Sequence, residues 1–169
     1  MFYLTIDKDI HIRTLHPNDT VELFRLVEVN RSRLCPWIHP SALPENYKAA
    51  RKFTIECFLN SLGNLGVATV EYNDYYQELE YYTPLPSPPM ELRIWFDKCL
   101  AGEIMLGRLL DSYTTVEFGY WISSDMEGRG IVIHCVSGLM DYAIENMDID
   151  RFVLDVLSTT SAAVPSRSV

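Results

Sequence analysis

The sequence predicts a single α/β domain, with a mixed but mostly antiparallel sheet flanked by helices. Three observations lead there. One β-branched run is followed by two stretches with helical apolar spacing; three strand-length runs come next, joined by short connections; a glycine-led helical stretch and one more apolar run complete the order. At 169 residues and 48% hydrophobic content, the chain suits one buried core.

HIRTL, residues 11–15, alternates and is β-branched, so the first strand falls there. Asn18 or Asp19 then caps a helix with Val21, Leu23, Phe24, Leu26 and Val27 on its apolar stripe. Pro36, Pro40 and Pro44 each bar the preceding residue from helix and so break the pattern. A second helix, about residues 45–62, turns Ala49, Phe53, Ile55 or Glu56, and Leu59 inward, and Gly63 ends it. Residues 63–89 carry five of the ten tyrosines, a run of acids and four prolines with no sustained period, which marks an acidic Tyr/Pro-rich insertion. Beyond it, ELRIWFD (91–97), EIMLGRLL (103–110) and VEFGYWIS (116–123) are joined by KCLAG and DSYTT, connections of hairpin length. They form an antiparallel meander. A helix over residues 131–147 follows, with Val132, Val136, Leu139, Met140 and Ala143 along one side, and RFVLDVL (151–157) is a further strand.

Composition excludes several function classes. A net charge of -9 with no Lys/Arg cluster cannot neutralise a phosphate backbone, so no nucleic-acid partner is expected and amine-bearing partners fit better. No apolar run approaches the roughly 18 to 20 residues of a membrane span, and the acids in MFYLTIDKDIHIR do not suit a secretion signal. The expected location is therefore cytoplasmic. Cys35, Cys57, Cys99 and Cys135 are too scattered for a zinc site or a disulfide scaffold; they read as reduced thiols, three of them buried, and no metal is expected.

DMEGRGIV, residues 125–132, sets Gly128 and Gly130 between a strand and a helix. Unpaired N–H groups at the positive end of a helix, approached across bare glycine backbone, suit a phosphate or pyrophosphate. Such a turn also occurs as plain structure. It is not a G-x-x-x-x-G-K-[ST] loop, and it lacks the third glycine and the parallel βαβ setting of a dinucleotide site.

The order of elements together with this turn resembles the GNAT superfamily of acetyl-CoA-dependent N-acetyltransferases. Against that family's Gln/Arg-x-x-Gly-x-Gly/Ala signature, residues 127–132 read Glu-Gly-Arg-Gly-Ile-Val, so the fourth position matches and the first and sixth depart. VEFGYWISSDMEGRGIV, LMDYAIENMDIDRFVLDV and IRTLHPNDTVELFRLVEVNRSRLCPWI are similar to the ribosomal-protein serine/alanine N-acetyltransferase branch, where both departures are familiar. The resemblance covers most of the chain outside residues 63–89.

It implies transfer of an acetyl group from acetyl-CoA, as co-substrate, to a primary amine, with a protein N-terminus the acceptor the branch favours. Backbone amides from Gly128 to Val132, with Glu127, Arg129, Gly130 and Ile131 in the same loop, would hold the pyrophosphate. Arg129 either adds charge toward it or is merely exposed, and Glu127 is tolerable only with its carboxylate turned away. The strand edge of Trp121, Ile122 and Ser123 would bind the pantetheine arm as an added half-strand. Direct attack needs a base, a polarised carbonyl and a proton for the thiolate. Glu117 matches a position where family members place a base, or it is a strand carboxylate paired with Arg108. Ser161 matches the serine of the family's Asn-x-x-Ser motif, whose hydroxyl lies near the sulfur, or it caps a helix; Ser158 replaces the asparagine. Trp37 and His39 fall where the family builds its acceptor pocket. His134 reads as packed or exposed rather than catalytic, and Cys135 as core.

The family normally continues for two more strands past the point where LSTTSAAVPSRSV stops, so the chain reads as apparently truncated, with an apolar sheet edge that invites self-association. Three readings follow: a truncated form of an active enzyme, which the surviving Glu117, glycine turn and Ser161 favour; a degenerate member acting as an acetyl-CoA-binding or protein-interaction module; or a site completed by another chain.

Overall fold

A computed structural model of the chain describes residues 2–38, 42–62, 90–108 and 114–154. Six strands, β1 (Tyr3–Thr5), β2 (Ile10–Arg13), β3 (Met90–Phe96), β4 (Cys99–Arg108), β5 (Thr115–Ile122) and β6 (Arg151–Leu154), form one sheet in sequence order. All neighbours are antiparallel except β5 and β6, which are parallel. The exception follows from the connection, because helix α3 (Ile131–Met147) carries the chain back to the starting end of the sheet. Helices α1 (Thr20–Leu34) and α2 (Tyr47–Ser61) cover the other face. The expected α/β class and mixed, mostly antiparallel sheet are what the chain adopts.

Alternation along the strands divides the core in two. Ile12, Leu92, Ile94, Ile104, Val116 and Phe118 pack with Ile131, Cys135, Leu139 and Ala143 of α3. Leu15, Leu23, Val27, Leu34, Trp95 and Leu100 form the cluster under α1 and α2. α1 is entered through a 3-10 turn, Pro17–Asp19, where the His16 ring accepts from Asn18 N–H and the Asp19 carboxylate accepts from His16 N–H at 2.7 Å. Asp19 also holds Arg13 of β2 with two bonds, 2.7 and 3.0 Å, and that guanidinium lies 3.9 Å from the Trp95 ring centre.

Several expectations are corrected. β1 was not foreseen; three residues, two of them exposed, give no alternation to read. The connection between β3 and β4 is not KCLAG but a two-residue turn at Asp97 and Lys98, both at positive φ (46° and 66°), so Cys99–Gly102 belongs to β4. On α1 the buried line is Thr20, Leu23, Val27, Asn30 and Leu34, while Val21 is exposed and Phe24 half-buried. The Thr20 hydroxyl meets Thr54 of α2 at 2.8 Å in the interior, and that contact fixes the helix rotation. α2 correspondingly buries Ala50 and Thr54, with Phe53 and Cys57 beside them, instead of the line through Ala49. α3 buries Ile131, Cys135, Leu139 and Ala143, with Val136 and Met140 flanking; its close approach to the N-terminal strands is set at Gly138, where a Cβ would lie 2.5 Å from Ile6 Cδ1. Of the cysteines only Cys135 is fully buried, because Cys35 ends α1 and Cys99 follows the tight turn. The insertion at 63–89, Leu109, Leu110, the residues of RFVLDVL past Leu154 and everything after them lie outside the described residues.

One glycine is a packing necessity. β4 bulges where Ile94 pairs with Gly102 but Trp95 with Leu100, and a Cβ on Gly102 would stand 2.2 Å from the Trp121 carbonyl oxygen of β5.

Gly102→Ala should lower stability by roughly 3 kcal/mol through overpacking against main chain, read as a drop in denaturant midpoint without a change in slope. Burial and the adjacent Glu91 carboxylate push the Cys57 thiol well up, and burial followed by Asp7 pushes Cys135 up to about 12. Alkylation of the folded protein at neutral pH, mapped by peptide mass, should therefore modify Cys35 and Cys99 and leave Cys57 and Cys135 until the chain unfolds.

Candidate functional site

The geometry around β5 follows from its alternation. Val116, Phe118, Tyr120 and Ile122 point toward α3, so Glu117, Gly119 and Trp121 point to the face covered by α1 and α2. The main chain alternates as well. Ser123 N–H donates to Ala101 of β4 at 2.8 Å, which places the polar backbone of Trp121 and Ser123 on the β4 side and that of Ile122 on the opposite edge. Pairing of β5 with β6 runs from Thr115 to Phe118 among the described residues. Of the three residues expected to bind an extended arm, Ile122 alone turns its carbonyl outward.

After β5 the chain makes a short 3-10 turn, Ser124–Met126, and enters Glu127, Gly128, Arg129 and Gly130. Gly128 and Gly130 sit at φ 71° and 74°, and the space a Cβ would occupy is open at both. These positions need glycine for conformation and not for packing. Gly130 is also the N-cap of α3, and no side chain bonds to the helix start. A 17-residue helix thus offers its first N–H groups across bare backbone, with Ile131 buried as the anchor and Val132 half-buried behind it.

Asn30 of α1 holds this turn in place. Its side chain is buried and makes all four bonds an amide allows: Nδ2 donates to Leu26 O and Ser123 Oγ, both at 2.9 Å, while Oδ1 accepts from Ser124 N–H at 3.1 Å and from Arg33 Nη2 at 3.2 Å. Arg33 in turn donates to Ile122 O and pairs with Glu127 at 2.6 Å. The Glu127 carboxylate is therefore drawn toward α1. Arg129 folds back, donating to Asp125 O at 3.1 Å with its guanidinium 5.7 Å from the Phe96 ring.

A second set of polar groups lies under the helices. Trp121 Nε1 donates to Glu103 at 3.1 Å; Glu103 pairs with the buried Arg93 at 3.2 Å; Arg93 lies 3.7 Å from Glu91, whose carboxylate accepts from the Cys57 thiol at 3.1 Å. Burial would depress Arg93, but Glu103, Cys57 and Glu91 outweigh it and hold it above its ordinary value. Burial raises Glu91, opposed by Arg93 and reinforced by Glu103. Glu117 shares this face, half-buried and opposite Gly107, about 16 Å from Ile122 at the usual strand rise.

The structure thus brings Ile122, Ser123, Glu127, Gly128, Arg129, Gly130, Ile131 and Val132 together, and sets Trp121 and Glu117 on the adjacent helix-covered face. Trp37, at the end of α1, is half exposed. His39, Ser158 and Ser161 lie outside the described residues. His134 is exposed, 3.8 Å from Asp7. Asn30, Arg33, Glu91, Arg93 and Glu103 were missed. A polar residue on the buried line Leu23, Val27, Asn30, Leu34 is a readable signal; Arg93, in a strand covered on both faces, looks like an ordinary solvent position until α2 is placed over it. Among the described residues no group of three or more His, Cys, Asp or Glu side chains could hold a metal ion, and no described helix is long and apolar enough to cross a membrane.

The chain is similar to known acetyltransferases. Residues 9–164 match the family described as "Acetyltransferase (GNAT) domain". A curated relative, "Putative ribosomal N-acetyltransferase YdaF" of Bacillus subtilis (strain 168), is 27% identical over 169 residues, 99% of this chain and 80% of that protein. A solved structure titled "Crystal structure of Probable acetyltransferase" is 26% identical with a TM-score of 0.65, covering 91% of this chain and 73% of its own. The acetyltransferase MccE, solved with acetyl-CoA and AMP, shares the fold at 17% identity and a TM-score of 0.63, over 89% of this chain and 71% of its own.

Gly128→Ala and Gly130→Ala should each cost about 1–2 kcal/mol from the left-handed backbone alone, since no atom obstructs the methyl group; chemical denaturation checks this. Arg93→Ala leaves two shielded carboxylates without their cation and should lower stability by about 3–5 kcal/mol. Glu91 gives a pH signature. Folded, it keeps its proton above 4.5, the ordinary glutamate value, so its contribution is complete below that value and is lost as pH rises through the raised one. Melting temperature followed from pH 4 upward should show this decline in wild type and lack that component in Glu91→Gln.

Proposed function

From a chain that belongs to the acetyltransferase (GNAT) domain family, and so is an acyltransferase of that type, we propose an enzyme that transfers the acetyl group of acetyl-CoA to a primary amine, specifically a protein N-terminal amino group. The observation that carries the donor assignment is the turn at residues 127–130: two glycines at positive φ, open space above both, and a helix start that no side chain caps. Those features fit a pyrophosphate held by main-chain N–H groups from Gly128 to Val132. The outward carbonyl of Ile122 fits an extended amide-bearing arm laid against β5. MccE, whose solved structure holds acetyl-CoA, supports the donor by its shared fold, and the name of the Bacillus relative supports a ribosomal protein as acceptor.

When bound, acetyl-CoA supplies the activated acyl thioester. The chain's own groups must then handle protons. The acceptor amine has to be neutral to attack, and Glu117, half-buried on the face under α1 and α2, is assigned as the base that takes its proton, directly or through water. As the C–N bond forms the C–S bond breaks, and the leaving thiolate takes a proton that we assign to the Ser161 hydroxyl, with Ser158 as a further donor near the cofactor. Trp37 and His39 are assigned to the acceptor side. The net charge of -9 favours approach of a cationic N-terminus.

At a hundred times its dissociation constant, acetyl-CoA should raise the melting temperature of wild type by roughly 5–10 °C and leave Gly130→Trp unmoved. No shift in wild type would sink the donor assignment. Glu117→Gln should keep the shift while losing about 10²- to 10⁴-fold in turnover of an N-terminal peptide, followed by thiol release.

A further inference from the structure

Arg33 itself has no role in the acetyl-transfer reading, although it touches two residues of the donor side. It stands in the last turn of α1, yet its guanidinium reaches out of that helix to the two places where the donor is expected, the outward carbonyl of Ile122 and the carboxylate of Glu127 beside Gly128. Asn30 Oδ1 steadies it at 3.2 Å. Its Nε is closed off from solvent and has no hydrogen-bond partner among the described residues. The ion pair with Glu127 is partly exposed, 39% and 53%, and such pairs contribute little to stability. The stability of the ion pair alone therefore does not account for a cation brought to the mouth of the glycine turn.

We propose that Arg33 is a donor-binding residue: its charge serves the anionic pyrophosphate end of acetyl-CoA, and Glu127 masks that charge and sets the affinity. This deepens the donor assignment and rests on it. The two side chains form a neutral pair at an anion site, so removing either changes the local charge by one unit with opposite sign. Loss of Glu127 leaves a free guanidinium near the phosphates. Loss of Arg33 leaves a free carboxylate there, next to N–H groups that would otherwise receive the ligand. The residue signature of the turn carries no cation in its first position, Glu127; the cation comes instead from another helix.

The test is calorimetric titration of acetyl-CoA into the full chain and its variants at low ionic strength. Glu127→Gln should bind about three- to ten-fold more tightly than wild type and Arg33→Gln about three- to ten-fold more weakly, with the double variant close to wild type and all differences shrinking at high salt. Arg33→Lys, which keeps the charge, should stay closer to wild type than Arg33→Gln. S-acetylpantetheine, which has the arm and thioester but no phosphates, should bind all five proteins alike. If Glu127→Gln binds acetyl-CoA no more tightly than wild type, or if the variants alter S-acetylpantetheine as much as acetyl-CoA, the assignment is overturned while the donor reading stands. If wild type binds neither ligand, the donor reading itself falls, and this one with it. Glu127 lies on an exposed turn, so its variant tests the idea even if Arg33→Gln fails to fold.

Discussion

The arrangement of the glycine turn depends on one buried amide. Asn30 has no free hydrogen-bonding position, and its four partners come from its own helix, from Ser123 and Ser124 at the end of β5, and from Arg33. A single such bond contributes about 1 kcal/mol net, but an amide buried with any of its partners missing costs more than that. The polar side chain is therefore stable only if α1 and the end of β5 meet in one register. The Arg33–Glu127 pair, being exposed, cannot impose that register. Asn30 positions the turn.

The two faces of the sheet divide labour according to the solvation of their side chains. Toward α3 the packing is apolar, from Ile12 and Ile94 to Leu139, and burial there pushes the Cys135 thiol up to about 12. Toward α1 and α2, Trp121, Glu103, Arg93, Glu91 and Cys57 form a continuous polar chain on the face that Glu117 shares. Such a chain is costly to desolvate, and replacement by well-packed apolar side chains would usually be neutral or stabilising. Acid and base groups placed there have their proton affinities set by their neighbours, as Glu91 and Arg93 do.

Much of this was legible from sequence because period and punctuation agreed. The three central strands, α3 and the glycine turn were each marked by a pattern longer than the error in placing its ends. The failures have separate causes. On α1 and α2 the expected Leu23, Leu26, Val27 and Phe53 do face the core, but Val21 is exposed and the buried Thr20 and Thr54 were missed, because their contact joins two small polar residues that an apolar stripe ignores. The β3–β4 turn was misplaced because Asp97 and Lys98 adopt a conformation usually given to Asn-Gly. In the site, glycines and strand order could be read locally, whereas Asn30 and Arg33 acquire meaning only once α1 lies across the end of β5. Trp121 was foreseen, but as a backbone contact; its indole instead belongs to the polar chain through Glu103.

Gly102 bears on how freely such a chain can diverge. Its missing side chain faces a main-chain carbonyl, that of Trp121, not another side chain. Elsewhere in the core a change in volume can be answered by a second change in a neighbour's volume. No substitution at residue 121 moves its carbonyl oxygen, so a larger residue at 102 has no partner with which to compensate. The strand that carries Ile122 is thereby anchored at a point that drift in the surrounding sequence cannot relocate, and its edge keeps its place while the residues lining it are free to vary.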